Sequence, residues 1–430
     1  MPSNRAAIRP GACYHGRDRE PVPSLMEFHT NPPLTLYLHL PWCVKKCPYC
    51  DFNSHTAPDR IPVDAYIDAV VADLEQELPE IWGRSLEAIF IGGGTPSLFP
   101  PEAIDRLLAR VRMYLNPAPD IEITLEANPG TVEADRFRGF REAGVNRLSI
   151  GIQSFDDTSL AALGRIHDGA AAHAAAETAL AAGFDRINLD LMYALPGQTV
   201  TGAMQDLDTA LALGVGHVSW YQLTLEPNTV FWSRPPTLPD EDTIADIEDA
   251  GHARFAAAGF SRYEISAWAR DRDRYCEHNL NYWLFGDYLG IGAGAHGKRT
   301  VPARGAIERT HKVRAPQAYL DRAHGPDRVA HTRRLSAADA ALEFMLNALR
   351  LPDGFAAADF DARTGVPLHW LERVLTRAED NGLIERAAGR VRPTAHGLAF
   401  HNDLVARIAA ETETWGAGRE AALDLPFVVE

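Results

Sequence analysis

The chain has 430 residues, with 42 basic and 58 acidic side chains and a formal charge of −16 at pH 7. That length allows two or three domains around a large core, and 46% hydrophobic with 23% charged residues is ordinary globular composition, which excludes a disordered, collagen-like or coiled-coil chain. The acidity argues against bulk nucleic-acid binding, and no apolar run reaches the ~18 residues that a membrane span requires.

Residues 1–33 are Pro-rich and carry Arg5, Arg9, Arg17 and Arg19 with no apolar stretch behind them, so they read as a loosely held segment rather than a signal peptide. Strand-like runs then alternate with amphipathic ones. The strands are expected over Thr35–Leu40, Leu86–Ile91, Ile121–Glu126, Arg147–Ile152, Arg186–Met192 and His217–Thr224. Helices are expected over Val63–Leu78, Pro101–Leu115, Val132–Ala143, Gly169–Ala182 and Val200–Leu213. Runs such as AIFI and SWYQL are apolar on both faces, which suits a buried parallel sheet. Such units with right-handed crossovers would curl into a partial or complete β/α barrel; a flat doubly wound sheet is the alternative. Asp240–Ala258 reads as a further helix and Tyr263–Ala267 as a further strand, while the glycine-rich stretch Gly286–Gly297 reads as loop or barrel rim.

These patterns divide the chain into a barrel domain over 34–297, a basic connector over 298–335, a C-terminal domain over 336–410 and a tail over 411–430. The connector holds ten basic and three acidic side chains. Beyond it, helices at Ala338–Leu349, Ala356–Arg363 and Leu368–Asn381 precede LIER, a turn at Ala388 and Gly389, RVRP and a last helix near His396–Ala409. That order is winged-helix-like, and its balanced charge is a poor footprint for DNA. Only four lysines occur, Lys45, Lys46, Lys298 and Lys312; this reads as genomic base composition.

Five cysteines, Cys13, Cys43, Cys47, Cys50 and Cys276, are an odd and clustered set, which points to an intracellular metal or redox site rather than a disulfide framework. Cys43, Cys47 and Cys50 have the spacing C-x3-C-x2-C directly after the first strand. Soft sulfur on one short loop suits zinc or an iron–sulfur cluster. Zinc would want a fourth ligand, His39 or His55; a four-iron cluster on three thiolates keeps one iron open. Cys13 and Cys276 read as incidental thiols.

The segment LYLHLPWCVKKCPYCDFNSH resembles the radical S-adenosylmethionine (SAM) superfamily. With IFIGGGTPS, LEANPG, GIQSF, LGRIHDG and NLDLMYALPGQT it is similar to the oxygen-independent coproporphyrinogen oxidase group, from about residue 34 through the C-terminal domain. The resemblance implies an α/β fold: a partial (β/α) barrel of radical SAM type with a mostly helical, winged-helix-like C-terminal domain. It implies that Cys43, Cys47 and Cys50 hold a 4Fe-4S cluster. It also implies that Tyr37, Tyr49, Gly93, Gly94, Thr95, Glu126, Gln153, Arg165, Asp190 and Thr224 contact SAM. Most of these motifs fall at the ends of expected strands, where barrels build their sites.

Two features separate branches of the group. Phe52 stands where the oxidases carry a further cysteine, and HNLNYW at 278–283 resembles the H-N-x-x-Y-W motif of the haem-chaperone branch, HemW. That branch implies haem as cargo, held by His278, Asn279, Tyr282 and Trp283, and delivery to haem-accepting proteins. It further implies a flavodoxin-like or ferredoxin-like reductant, a cytoplasmic location and no nucleic-acid partner. A homodimer is allowed. The basic stretch allows contact with haem propionates or weak, peripheral contact with the inner face of a membrane. Oxidative decarboxylation of coproporphyrinogen is the rival function, and a zinc-bearing nucleic-acid module is a third.

Overall fold

The computed structural model describes residues 26–130 and 134–415. Cys13, residues 132–133 of the expected third helix, most of the N-terminal segment and the end of the tail lie outside them. The N-terminal region forms strands β1 (Leu34–Leu40), β2 (Trp42–Cys43), β3 (His55–Thr56), β4 (Ser85–Gly93), β5 (Asn116–Ala127), β6 (Arg147–Gln153), β7 (Arg186–Tyr193) and β8 (His217–Gln222). Then follow β9 (Ser261–Glu264), β10 (Ala267–Ala269), β11 (Asp287–Ile291), β12 (His296–Val301), β13 (Ala306–Lys312) and β14 (Val329–Arg334). The helices between them are α1 (Val63–Ile81), α2 (Pro101–Tyr114), α3 (Ala134–Ala143), α4 (Asp157–Ala162), α5 (Gly169–Ala181), α6 (Val200–Ala212), α7 (Val230–Ser233), α8 (Glu241–Ala257), α9 (Glu277–Trp283) and α10 (Pro316–Arg322).

Strands β1, β4, β5, β6, β7 and β8 lie side by side in chain order and are all parallel. A doubly wound sheet reverses its strand order at a switch point; this one does not. Right-handed crossovers without a reversal put every connecting helix on one face, so the sheet curls toward a partial barrel. Leu36, Leu38, Ile89, Ile91, Leu125, Ile150 and Leu189 are buried against Ile104, Leu107, Phe140, Ala176 and Leu207 of the helices. Local chemistry sets the helix ends. Asp168 and Thr199 cap α5 and α6 by accepting from the amides of Ala171 and Gly202, and Gly183, at φ +83°, follows α5 in the left-handed region.

Three expectations are corrected. The Gly286–Gly297 stretch is not loop: it contains β11, which lies parallel beside β1. Its Gly290 reflects crowding, since a Cβ there would stand 1.8 Å from the carbonyl oxygen of His296. The stretch 298–335 is not a solvated connector either. Strands β12, β13 and β14 extend the sheet in antiparallel fashion from β11. Several of its charges are matched by acids outside the stretch. Lys312 lies 2.5 Å from Asp73 and 2.7 Å from Glu77, Arg328 2.7 Å from Asp73, and Lys298 3.0 Å from Asp287. A net-charge count over one stretch cannot see such partners. At the other end of the sheet, β10 and β9 pair antiparallel to β8, so the single expected strand is a hairpin.

The C-terminal region forms α11 (Ala337–Ala348), β15 (Phe355–Ala356), α12 (Ala357–Thr364), α13 (Glu372–Asp380), β16 (Ile384–Ala387), β17 (Arg390–Pro393), α14 (Ala395–Ala399) and α15 (His401–Thr412). Ser336 and Asp339 make a reciprocal capping box at the start of α11. The turn at Ala388 and Gly389 closes the β16–β17 wing, which pairs with β15. Phe344, Phe355, Phe360, Leu371 and Leu404 centre a separate core. Ion pairs Arg309–Glu343 and Arg350–Glu264 tie this region to the sheet. Among the described residues no helix is long and apolar enough to cross a membrane.

Candidate functional site

The cysteine loop spans the gap between β2 and β3, which pair in parallel at Trp42–His55 and Cys43–Thr56. Cys43, Cys47 and Cys50 are free thiols, partly exposed. The loop is braced by its own backbone: the Cys50 amide donates to the Cys47 carbonyl, and Lys46 Nζ donates to the carbonyls of Phe52 and Ser54 at 2.8 and 3.2 Å. Burial pushes the Cys43 and Cys50 thiols up, so their thiolates need a nearby cation. Among the described residues no three His, Cys, Asp or Glu side chains gather as they would around one ion. A cuboidal cluster asks for less, because each thiolate takes a different iron. The fourth zinc ligand is also missing from where it was sought. His39 has both ring nitrogens engaged, Nδ1 with Tyr37 Oη and Nε2 with the Asn53 carbonyl, and His55 Nε2 faces Asn53 Oδ1. The donor set therefore suits an iron–sulfur cluster better than a closed zinc site.

The ends of the parallel strands surround this loop. At the end of β4, a Cβ on Gly94 would stand 2.6 Å from the Trp42 carbonyl oxygen, so only glycine lets the two backbones meet. Glu126, near the end of β5, accepts from the Gly93 amide at 2.9 Å. Arg165 donates to Asn128 Oδ1 at 2.6 Å and to the Gly151 carbonyl at 2.7 Å, and its Nη1 lies 3.7 Å from Cys47 Sγ. Asn128 in turn donates to Thr95 Oγ1 at 2.8 Å. Gln153 sits at φ +67° at the end of β6 and accepts from Tyr221 Oη at 2.7 Å. Asp190 accepts from Ser149 and Asn188, and burial pushes its carboxyl up to about 6. Thr224 donates to Glu226. Tyr49 packs on Phe231, and its hydroxyl is pushed up by burial.

One cavity of about 870 Å³ joins these groups. Its walls hold the three cysteines, Tyr49, Gly93, Gly94, Thr95, Glu126, Gln153, Arg165, Asp190 and Thr224. Tyr37 is not on the wall; its ring lies behind, against Phe90 and His278. Asn128, Ser149, Asn188 and Tyr221 do line the cavity but were not singled out from sequence. Alternation would have found Asn128, two residues after Glu126. Cys276, read as incidental, is also on the wall.

The HNLNYW segment forms α9, which packs against β1, β4 and β11, with the Glu277 amide donating to Glu122 Oε1 at 2.9 Å. His278 and Trp283 are each 6% exposed. The His278 ring is stacked 6.2 Å from Tyr37 and lies 5.2 Å from Phe90; its Nδ1 is buried with no hydrogen-bond partner, and burial lowers it to about 3. Arg350 stands 4.3 Å over the Trp283 ring, and Tyr282 meets Tyr288. Of the four residues expected to form a haem edge, Asn279 lines the cavity and the other three do not.

This combination of sequential parallel strands, cysteine loop and polar strand-end residues defines a radical SAM superfamily protein. The family model described as "Radical SAM superfamily" matches residues 37–210, and "HemN C-terminal domain" matches residues 335–400. The fold is that of coproporphyrinogen III oxidase (HemN) from Escherichia coli, with a TM-score of 0.73 at 22% identity over 90% of this chain and 91% of that one. Within the class, the chain is 47% identical to "Heme chaperone HemW" of Escherichia coli over 88% of its own length and 99% of the relative's. It is 46% identical to the Haemophilus influenzae protein of that name, over 87% and 97%, and 33% identical to the Bacillus subtilis one, over 87% and 99%. The chain belongs to the HemW family.

Proposed function

We propose that the protein is a haem chaperone: it takes up haem and hands it to haem-requiring proteins, on a radical SAM scaffold that holds a 4Fe-4S cluster and SAM. The observation that carries the reading is the match along nearly the whole chain to proteins named as heme chaperones. Phe52 on the cavity wall, where the oxidase pattern has a cysteine, supports the same side.

In this reading Cys43, Cys47 and Cys50 hold the cluster. When bound, it supplies one-electron chemistry toward SAM through its open iron. The protein's part is positioning. Glu126 and the Gly93–Gly94 backbone suit the amino and carboxylate groups of SAM, and Arg165 steadies the loop at Cys47. Thr95, Gln153, Asp190 and Thr224 offer hydrogen bonds for the nucleoside, and Tyr49 covers it with Phe231. His278 is the axial ligand for haem iron, with Asn279, Tyr282 and Trp283 around it. Because His278 is buried against Tyr37 and Phe90, haem reaches its ring only after a local rearrangement. The reading needs haem-accepting proteins and a flavodoxin-like or ferredoxin-like reductant. A homodimer and weak contact with an anionic membrane face are separate expectations, checked by light scattering and vesicle co-sedimentation.

The test is a haem titration of anaerobically reconstituted protein. Wild type is expected to develop a sharp Soret band that weakens in His278→Ala, and to pass haem to an apo-acceptor. Conversion of coproporphyrinogen to protoporphyrinogen with SAM and reductant would instead assign the oxidase function.

A further inference from the structure

Large apolar side chains that stand exposed are few among the described residues, and four gather at one place. Val44, Ile166, Val230 and Trp232 are 49%, 53%, 54% and 57% exposed. Val44 lies between Cys43 and Cys47. Ile166 follows Arg165, whose guanidinium reaches Cys47, and Gly164 sits so close to Pro48 that an added Cβ would stand 2.8 Å from its Cδ. Helix α7 seats itself on the same loop: the Phe231 amide donates to the Pro48 carbonyl at 3.0 Å and its ring faces Tyr49, which leaves Val230 and Trp232 outward on either side. Val44 is thus part of the loop, and the segments that carry Ile166, Val230 and Trp232 both touch it at Pro48. An exposed apolar group of this kind marks an interaction surface.

Exposed cations also stand at this place, although the molecule as a whole is acidic. The chain carries −16 overall and only four lysines. Lys298 and Lys312 are buried in ion pairs. The exposed two, Lys45 and Lys46, both stand on the cysteine loop, and exposed Arg234 follows Trp232. Asp51, Glu226 and exposed Asp168, two residues after Ile166, are the acids alongside, with Glu226 turned to Thr224.

We infer that this rim is the docking surface for a small acidic one-electron carrier, its apolar side chains making the contact and Lys45, Lys46 and Arg234 orienting it. The inference rests on the reading that the loop holds a reducible cluster. One electron passes from the reduced carrier to the cluster; the carrier is oxidised by one electron, and no bond or proton changes hands. A few apolar side chains flanked by exposed cations suit the small, transient interfaces of electron-transfer pairs, which typically bury less than about 1,200 Å². Opposite charge speeds such encounters and makes them sensitive to salt.

The test uses the full chain, reconstituted without air, with reduced flavodoxin as the carrier and dithionite as a reductant that needs no docking. The variant Trp232→Ser with Arg234→Glu is compared with wild type and with Trp82→Ser, which is 83% exposed but precedes β4 at the far end of the strands. Calorimetry at low salt is expected to show flavodoxin binding about tenfold weaker in the double variant, as for loss of an aromatic anchor and a steering charge. Cluster reduction by flavodoxin should slow in proportion and lose much of its salt dependence. Dithionite reduction, iron and sulfide content, and the Trp82→Ser protein should match wild type. Flavodoxin binding and reduction unchanged in the double variant would overturn the inference. So would a variant that is reduced normally but hands haem over slowly, since the rim would then belong to the acceptor protein. If wild type binds no iron or sulfide, the cluster reading fails, yet calorimetry on the same chain still decides whether flavodoxin docks here.

Discussion

Two regions of this molecule bury charge, and they treat it in opposite ways. Beneath the sheet extension, each carboxylate meets cations. Asp73 accepts from Lys312, Arg328 and Tyr319, and Asp287 accepts from Lys298, Arg84 and the Thr300 amide. Burial would push the Asp287 carboxyl up, but Lys298 and Arg84 outweigh it and hold it below the ordinary range. On the cavity wall, Asp190 takes its hydrogen bonds from neutral Ser149 and Asn188, and burial wins, raising it to about 6. The first region is finished by its own partners. In the second, the neutral partners and the nearby Arg147 do not offset the burial of the carboxyl, a pattern that clusters at functional sites.

The largest expected effect lies in the paired belt. Asp73→Ala leaves Lys312 and Arg328 with Glu77 as their acidic partner, and removing one member of a buried network costs about 3–5 kcal/mol. Urea unfolding should register that loss. A change below about 1 kcal/mol would mean that Glu77 satisfies both cations and that the belt is not closed in the sense argued here.

The cavity wall should behave in the opposite sense. A carboxyl raised from 3.8 to about 6 binds its proton more tightly in the folded state, so it costs stability as pH rises through that interval, and the full cost is present above 6. Two units correspond to about 3 kcal/mol as an order of magnitude. Asp190→Asn is therefore expected to gain stability relative to wild type at pH 7.5 but not at pH 3.5, while weakening SAM binding. Unfolding curves at the two pH values check the sign. A difference independent of pH would show that the native carboxylate is already compensated.

The contrast was only partly legible from sequence. The six parallel strands, their helices and the wing domain follow from local patterns, since alternation and helical spacing are read within one segment. That the cysteine loop and the strand-end motifs come together was likewise readable, because each motif sits at the end of its own strand, and most of their residues line one cavity. The paired belt was not. Asp73 and Lys312 are far apart in the chain, and +7 over one stretch looks the same whether its partners are water or buried acids. Strand β11 was hidden by Gly290, whose missing side chain marks a close approach rather than a loop. The burial of His278 was hidden for a related reason: an aromatic cluster next to a histidine reads equally as a ligand face or as core.

The margin of the belt gives the smallest effect and the sharpest control. Arg304 lies 3.4 Å from both Glu80 and Glu308, but it is 52% exposed, against 1% for Lys312. Water and salt screen such a pair, and holding a long side chain in place offsets much of what remains. Arg304→Gln should therefore cost less than about 1 kcal/mol, and the cost should fade as salt is raised. A double-mutant cycle with Glu80→Gln at low and high salt isolates the pair. If the coupling instead persists undiminished in high salt, Arg304 belongs with Lys312 and Arg328, and the boundary between closed belt and solvated edge must be drawn one residue further out.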